Sequence, residues 1–145
     1  MKLLKFSFTL LLAALFTLHG CSSTSNDPDV QFAQTAFTAL ATGNPSAEGM
    51  LDWPSLRMAG LDIGAQYNAL PSETEKASNR AGFVSSFASS FQAKGASADS
   101  LTNWRVQDAA NHIVAADTTT GGTMSITIST PEGTRKISNI EFGSN

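Results

Sequence analysis

Apolar residues in this chain recur every three to four positions up to residue 94, and every second position from about residue 100 onward. A repeat of 3.6 positions is typical of helices that bury one side, and a repeat of two is typical of strands that bury one face. Helices that precede the strands, rather than alternate with them, indicate an α+β fold. We therefore predict an N-terminal helix and a long amphipathic helix packed on a curved antiparallel sheet.

The first helix is predicted over residues 28–42. Asp27 is suited to cap its N-terminus, and Pro28 fits its first turn. Gly43 supplies the left-handed conformation that commonly ends a helix, and Pro45 prevents continuation. Both ends of this helix are therefore marked in the sequence.

The second helix is predicted over residues 73–94, after a segment, 46–71, in which we expect only short helices and loop. Ser72 and Glu75 have the spacing of a capping box, and Gly95 ends the helix. The residues predicted to be buried are Ala77, Ala81, Phe83, Val84, Phe87, Ala88 and Phe91. Three phenylalanines at this spacing are typical of a core helix rather than of a cofactor site.

About four strands are predicted after residue 100, joined by turns rich in glycine, proline and asparagine into an antiparallel meander. The last three strands are predicted at 112–117, 123–130 and 134–142, and the first places Thr102, Trp104 and Val106 on one face. In the last strand, Ile137 is out of phase with Ile140 and Phe142. We therefore expect a bulge near Ser138 that places these three side chains on one face.

The first twenty residues differ in composition from the rest, since they contain seven of the 13 leucines. Lys2 and Lys5 precede an uncharged and mostly apolar run of 13 residues, 6–18. A transmembrane helix needs about 20 such residues, whereas a shorter run fits the apolar region of a signal peptide. A polar stretch rich in serine and threonine follows Cys21.

This leader resembles the signal peptide of bacterial lipoproteins, and Leu18-His19-Gly20-Cys21 resembles its lipobox, with His19 where the family usually has a small residue. The resemblance implies cleavage between Gly20 and Cys21, attachment of diacylglyceryl to the Cys21 thiol and acylation of the new amine. An ordinary cleaved signal peptide followed by a free buried cysteine is the alternative.

The lipoprotein resemblance also implies a division of the chain into a signal peptide (1–20), a lipidated flexible tether (21–27) and one domain (28–145). Ser22 follows the cysteine, which in the Gram-negative pattern implies transport to the periplasmic face of the outer membrane. The lipid on Cys21 would then anchor the protein to the membrane.

Charge and composition limit the partners of the remaining chain, which has seven basic and 12 acidic residues after residue 20. This acidic balance argues against a nucleic-acid partner and against attachment to anionic headgroups, so membrane binding must come from the lipid. Cys21 is the only cysteine and His112 the only histidine after residue 20. We therefore expect no disulfide, no metal site and no cofactor.

The order of elements and the segment FAQTAFTALATGNPSAEGMLDW, residues 32–53, resemble the NTF2-like, cystatin-like α+β cone over about residues 28–142. The family usually has a strand before the long helix, for which residues 61–70 give only weak support. Most enzymes of the family hold polar side chains inside the cone, and many other members are binding or scaffolding modules.

By position, Asp52, Tyr67 and His112 are candidates for a pocket in such a cone, with Trp53 and Trp104 as apolar walls. The structural alternative makes His112 a hydrogen-bonded strand residue, Tyr67 a loop anchor and Asp52 a cap. No catalytic motif accompanies these residues. We therefore expect a non-enzymatic module for an envelope protein or a small apolar ligand, and the alternative is a small isomerase or dehydratase. The enzyme requires the three polar side chains to converge on one cavity.

Overall fold

A computed structural model describes residues 26–143 of the chain. The predictions for the signal peptide, the cleavage at Gly20 and the lipidation of Cys21 lie outside these residues. The helices are α1 (Pro28–Ala41), α2 (Ala47–Met50), α3 (Ile63–Asn68) and α4 (Glu73–Ala93). The strands are β1 (Arg57–Met58), β2 (Leu61–Asp62), β3 (Leu101–Asp108), β4 (Ile113–Thr118), β5 (Thr123–Ser129) and β6 (Lys136–Gly143).

The fold class is α+β, as predicted, with helices packed on a single six-stranded mixed sheet in the order β2-β1-β6-β5-β4-β3. Strands β3 to β6 form the predicted antiparallel meander. The expected number of about four strands was too low, because β1 adds to β6 in parallel and β2 pairs with β1. Each added strand has two residues, which is too short to show an alternating pattern.

Helix α1 confirms the predicted first helix and lies against β3, β4 and β5. The Asp27 carboxylate accepts hydrogen bonds from the backbone N–H groups of Asp29, at 2.9 Å, and Val30, at 3.3 Å. Gly43 follows the helix with a φ of +70°. The side chains that α1 buries include Val30, Ala33, Phe37 and Leu40.

Helix α4 begins where predicted, with the Ser72 hydroxyl accepting a hydrogen bond from the backbone N–H of Glu75 at 3.2 Å. Val84 and Ala88 are buried as predicted, and the three phenylalanines are partly buried against the core. Nearer the start of the helix the prediction was wrong, because Ala77 and Ala81 are exposed. The longer side chain of Arg80 is directed inward instead, where its guanidinium donates to the Tyr67 hydroxyl at 2.7 Å. An arginine stem covers more apolar surface than an alanine methyl, so this orientation buries more of the helix.

Two irregularities determine which strand residues enter the core. The predicted bulge in β6 is confirmed at Ser138, which is skipped between the pairs Thr127–Asn139 and Ile128–Ile137. A second bulge in β3, at Asn103 with a φ of +51°, was not predicted.

The β3 bulge changes which side chains of that strand face the core. Leu101 is buried and Thr102 is exposed, so the prediction that Thr102 shares a face with Trp104 was wrong. The extra residue of the bulge brings Leu101 and Trp104 to the same face.

Within residues 26–143, no helix has both the length and the apolar character required to cross a bilayer.

Candidate functional site

A groove with a volume of about 510 Å³ lies between the C-terminal half of α4 and one end of the sheet. Its volume falls within the range of about 300–1,000 Å³ that is usual for small-molecule sites. The side chains that line it are mostly apolar. They include Met58, Phe87, Phe91, Leu101 and Phe142, and we call this site the apolar groove.

The helix side of the apolar groove is formed by two stacked rings. Phe87 and Phe91 are one turn apart on α4, with ring centroids 5.8 Å apart and an interplanar angle of 13°. Phe37 of α1 is fully buried and packs edge-on against Phe87, at 6.0 Å, and against Phe91, at 5.4 Å. These contacts fix the two rings from behind, while both remain only half-buried because they border the groove.

The sheet side of the groove is formed where β1 and β6 end. Met58 pairs with Ile140, and the backbone N–H of Ala59 donates to the Ile140 carbonyl at 2.9 Å. Phe142 lies two residues further along β6 and is 46% exposed. It also borders a neighbouring depression of about 390 Å³ beside the β4–β5 turn, so its ring forms the ridge between the two.

The polar lining of the apolar groove consists of hydroxyl groups and one ammonium group. Among residues 26–143, Lys94, at the end of α4, is the only charged residue that lines it. The Thr118 hydroxyl is already used within the β4–β5 turn, where it accepts from the backbone N–H of Gly122 at 2.9 Å. The other hydroxyl-bearing residues of the lining are Ser90, Ser100, Thr119 and Thr120.

The structure brings together two of the five pocket residues proposed from the sequence, Trp53 and Tyr67. Their ring centroids are 5.6 Å apart, and the edge of Phe83 packs against Trp53 at 5.5 Å. The Trp53 indole N–H donates to the Glu48 carbonyl at 2.8 Å. Trp53 and Tyr67 are both buried, so this pair is part of the core beneath α4.

The side chains of the other three proposed residues contact different partners, although Asp52 directly precedes Trp53 in the chain. The Asp52 carboxylate accepts a hydrogen bond from the Ser129 hydroxyl at 2.7 Å, and Trp104 packs against Phe37 at 6.4 Å. His112 lies before β4, in a turn with a φ of +53°, so its predicted place inside a strand was wrong. None of the five residues lines the apolar groove.

His112 belongs instead to a surface cluster with Asp29 and Arg135. Its Nδ1 atom lies 2.7 Å from Asp29 Oδ2, and Arg135 Nε donates to Asp29 Oδ1 at 2.7 Å. Because an ionised carboxylate can only accept, the contact assigns the Nδ1 proton to His112. Burial has the largest single effect on the Asp29 carboxyl and acts to raise its pKa, but the hydrogen bonds and charges of Arg135 and His112 together hold that pKa below 3.8.

Sequence reasoning missed the apolar groove, although it identified several of its walls as core residues. Phe87 and Phe91 have the helical spacing of buried side chains, and Phe142 has the strand spacing. The available signal was the position of Phe142 near the end of the last strand, beyond its last buried neighbour, Ile140.

Within residues 26–143, no group of histidine, cysteine, aspartate and glutamate side chains is arranged to hold a metal ion.

Comparison with known proteins gave no family assignment: no protein-family model, no curated protein and no solved structure matches this chain significantly. The site is therefore interpreted from its own geometry.

Proposed function

We propose that this protein is a lipid-anchored component of the bacterial cell envelope whose single domain binds a small apolar ligand, without catalysis. The apolar groove carries the proposal. Phe87, Phe91 and Phe142 border one open cavity, and burial of apolar surface is the main source of binding free energy for ligands of this kind.

The geometry of the groove supports ligand binding rather than simple packing. Phe37 holds the rings of Phe87 and Phe91 in place from behind, so the groove wall is formed before a ligand enters. A preformed wall reduces the entropy cost of binding. Phe142 is one of the few large apolar side chains of the described residues that remain substantially exposed, and a ligand in the groove would cover it.

The enzyme alternative receives no comparable support. The three polar residues that this alternative needs each contact a different partner, so they do not form one proton-transfer site. The pairs are Asp52–Ser129, Tyr67–Arg80 and His112–Asp29. Each polar side chain is explained by the partner that it already has.

The position of the start of α1, which the proposed tether precedes, supports a groove that lies away from the proposed anchor. The tether enters α1 beside Asp29, which contacts His112 just before β4 and Arg135 just before β6. The groove lies at the other end of the same strands, beside Thr118 and Phe142. The six residues of β4 separate the two ends by about 20 Å.

We also propose that the domain belongs to the NTF2-like, cystatin-like cone class. Support comes from the order of elements, with α1 first, the long helix α4 in mid-chain and a meander of β3 to β6 at the end. The hairpin of β1 and β2 adds support, because it supplies strands before the long helix and joins them to the sheet.

Photolabelling tests the ligand site. We would incubate the full chain in lipid nanodiscs with a long-chain alcohol that carries a diazirine on its chain, and map the crosslinks by mass spectrometry. We expect labels on peptides that contain Phe91 and Phe142. Ser90→Trp places an indole in the groove and should reduce labelling at least tenfold, whereas Ser85→Trp, on the same helix but outside the lining, should not. Equal labelling of the two variants would contradict the proposal.

Replacement of the cysteine tests the anchor. The variant Cys21→Ser removes the thiol that the lipoprotein resemblance identifies as the lipid acceptor. We expect its precursor to remain uncleaved and to take up no radioactive palmitate. Normal processing and labelling of this variant would refute lipid anchoring at residue 21.

A further inference from the structure

We infer that the ligand of the apolar groove is a free long-chain carboxylate, with its chain against Phe87, Phe91 and Phe142 and its head group at Lys94. The inference rests on the proposed binding function and adds a chemical class to it. Its basis is the combination of aromatic walls and a single positive charge in the same lining.

The charge of Lys94 contrasts with that of the domain around it, in which acidic residues outnumber basic ones. Four of the seven basic residues after residue 20 are paired with carboxylates: Lys76, Arg80, Arg105 and Arg135. Lys94 has no carboxylate partner among residues 26–143, and its side chain is exposed. An anionic head group would therefore meet an ammonium group that is not already neutralised.

The end of helix α4 does not cancel this attraction. Carbonyl groups at a helix C-terminus are partly negative and would repel an anion. Here the Gln92 carbonyl accepts from the backbone N–H of Gly95 at 2.9 Å, and the Phe91 carbonyl accepts from Ala96 at 3.3 Å. The full positive charge of Lys94 also exceeds the partial charge of about −0.5 at a helix C-terminus, so attraction of an anion dominates at this end of the groove.

A monomeric carboxylate fits the position of the groove better than the acyl chain of a bilayer lipid does. The groove is about 20 Å from the tethered end of the sheet, measured along β4. Because α1 starts at the end of the sheet that the proposed tether precedes, the groove lies at the end farther from the proposed anchor.

Two photoreactive ligands with the same chain test the inference, a diazirine fatty acid and the corresponding diazirine alcohol. Both would be added to the full chain in nanodiscs, and labelling of the groove would be measured over a range of ligand concentrations. We expect the wild type to prefer the carboxylate about two- to fivefold, which lies within the range for one partly exposed charge pair. Lys94→Gln should lower labelling by the carboxylate to the level of labelling by the alcohol, and Lys94→Arg should retain the preference.

Lys76→Gln is the matched control, because it removes one positive charge from the same helix about 27 Å from Lys94. It should retain the preference for the carboxylate. If the alcohol and the carboxylate label the wild type equally, the inference is refuted while the proposed apolar site stands. If neither labels the groove, both are refuted. Groove labelling by a diazirine phospholipid placed in the nanodisc bilayer would refute the choice of a free carboxylate.

Discussion

The two ends of the β4–β6 sheet differ in how completely their side chains are engaged. At the end where α1 begins, which we call the closed end, Asp29 binds both His112 and Arg135, and Asp52 binds Ser129. At the opposite end, which we call the open end, the apolar groove leaves aromatic surface in contact with solvent. The sheet is continuous between them, so the difference comes from the side chains and from the helices above them.

This difference indicates a division of tasks within one small domain. The closed end joins α1 to the turn before β4 and to the start of β6, so it fixes the first helix on the sheet. At the open end the C-terminal half of α4 faces the strands across a cavity. Stability is therefore expected to be concentrated at the closed end, and ligand binding at the open end.

The largest expected effect comes from one strand, β6, which has apolar side chains at both ends. Ile137, near the closed end, is fully buried, whereas Phe142, at the open end, is 46% exposed. Ile137→Ala should cost about 3 kcal/mol of unfolding free energy, because it leaves a cavity in the core. Phe142→Ala removes a larger side chain but should cost about 1 kcal/mol or less. Urea unfolding measures both, and an equal cost would contradict the division between the two ends.

A glycine substitution should have the next largest effect. Gly64 in α3 donates its backbone N–H to the Leu56 carbonyl at 2.8 Å, and a Cβ atom added there would overlap the Pro54 carbonyl, with the carbonyl carbon at 2.8 Å. Gly64→Ala should therefore cost about 2 kcal/mol. Gly82→Ala in α4 meets no atom within 4 Å and should stabilise the protein by about 0.5–1 kcal/mol. Thermal unfolding distinguishes the two, and a neutral Gly64→Ala would show that this packing is loose.

The smallest effect is expected from the ionic contacts of the closed end, through Asp29→Asn. Above pH 3.8 the variant should be about 1 kcal/mol less stable than the wild type, because partly exposed ion pairs contribute little each. The Asp29 pKa is lower in the folded state, so its contribution is present above 3.8 and is lost as the pH falls through the folded value. The difference between the two proteins should therefore vanish in acid. Asp99→Asn, in an exposed turn, controls for net charge, and a difference that persists in acid would exclude this role for Asp29.

Local signals in the sequence were sufficient for most of the fold. Asp27, Ser72 and Gly43 mark helix ends through hydrogen bonds and backbone angles that depend on nearby residues only. The bulge at Ser138 could also be predicted, because the alternation of apolar residues shifts by one position along β6. Signals of this kind can be recognised in a single sequence because the interactions that produce them join residues close together in the chain.

Features that depend on distant parts of the chain could not be predicted in the same way. The strands β1 and β2 exist because β6 offers an edge about 80 residues further along the chain. Helix α4 turns Arg80 rather than Ala81 inward because Tyr67 lies beneath it. The groove likewise requires α1, α4 and β6 to be assembled, so Phe91 and Phe142 could be assigned to an apolar face but not to an opening in it.

Strand β3 forms an outer edge of the sheet, and its bulge at Asn103 has a consequence for molecules held close together. Under the lipid anchoring proposed above, molecules of this protein would share a two-dimensional surface, where neighbours meet far more often than in solution. A regular exposed strand would then act as a template for sheet growth from one molecule to the next. At Asn103 the β3 backbone departs from the regular spacing of its amide and carbonyl groups. The same bulge that brings Leu101 into the core therefore also hinders strand-to-strand association in a crowded layer.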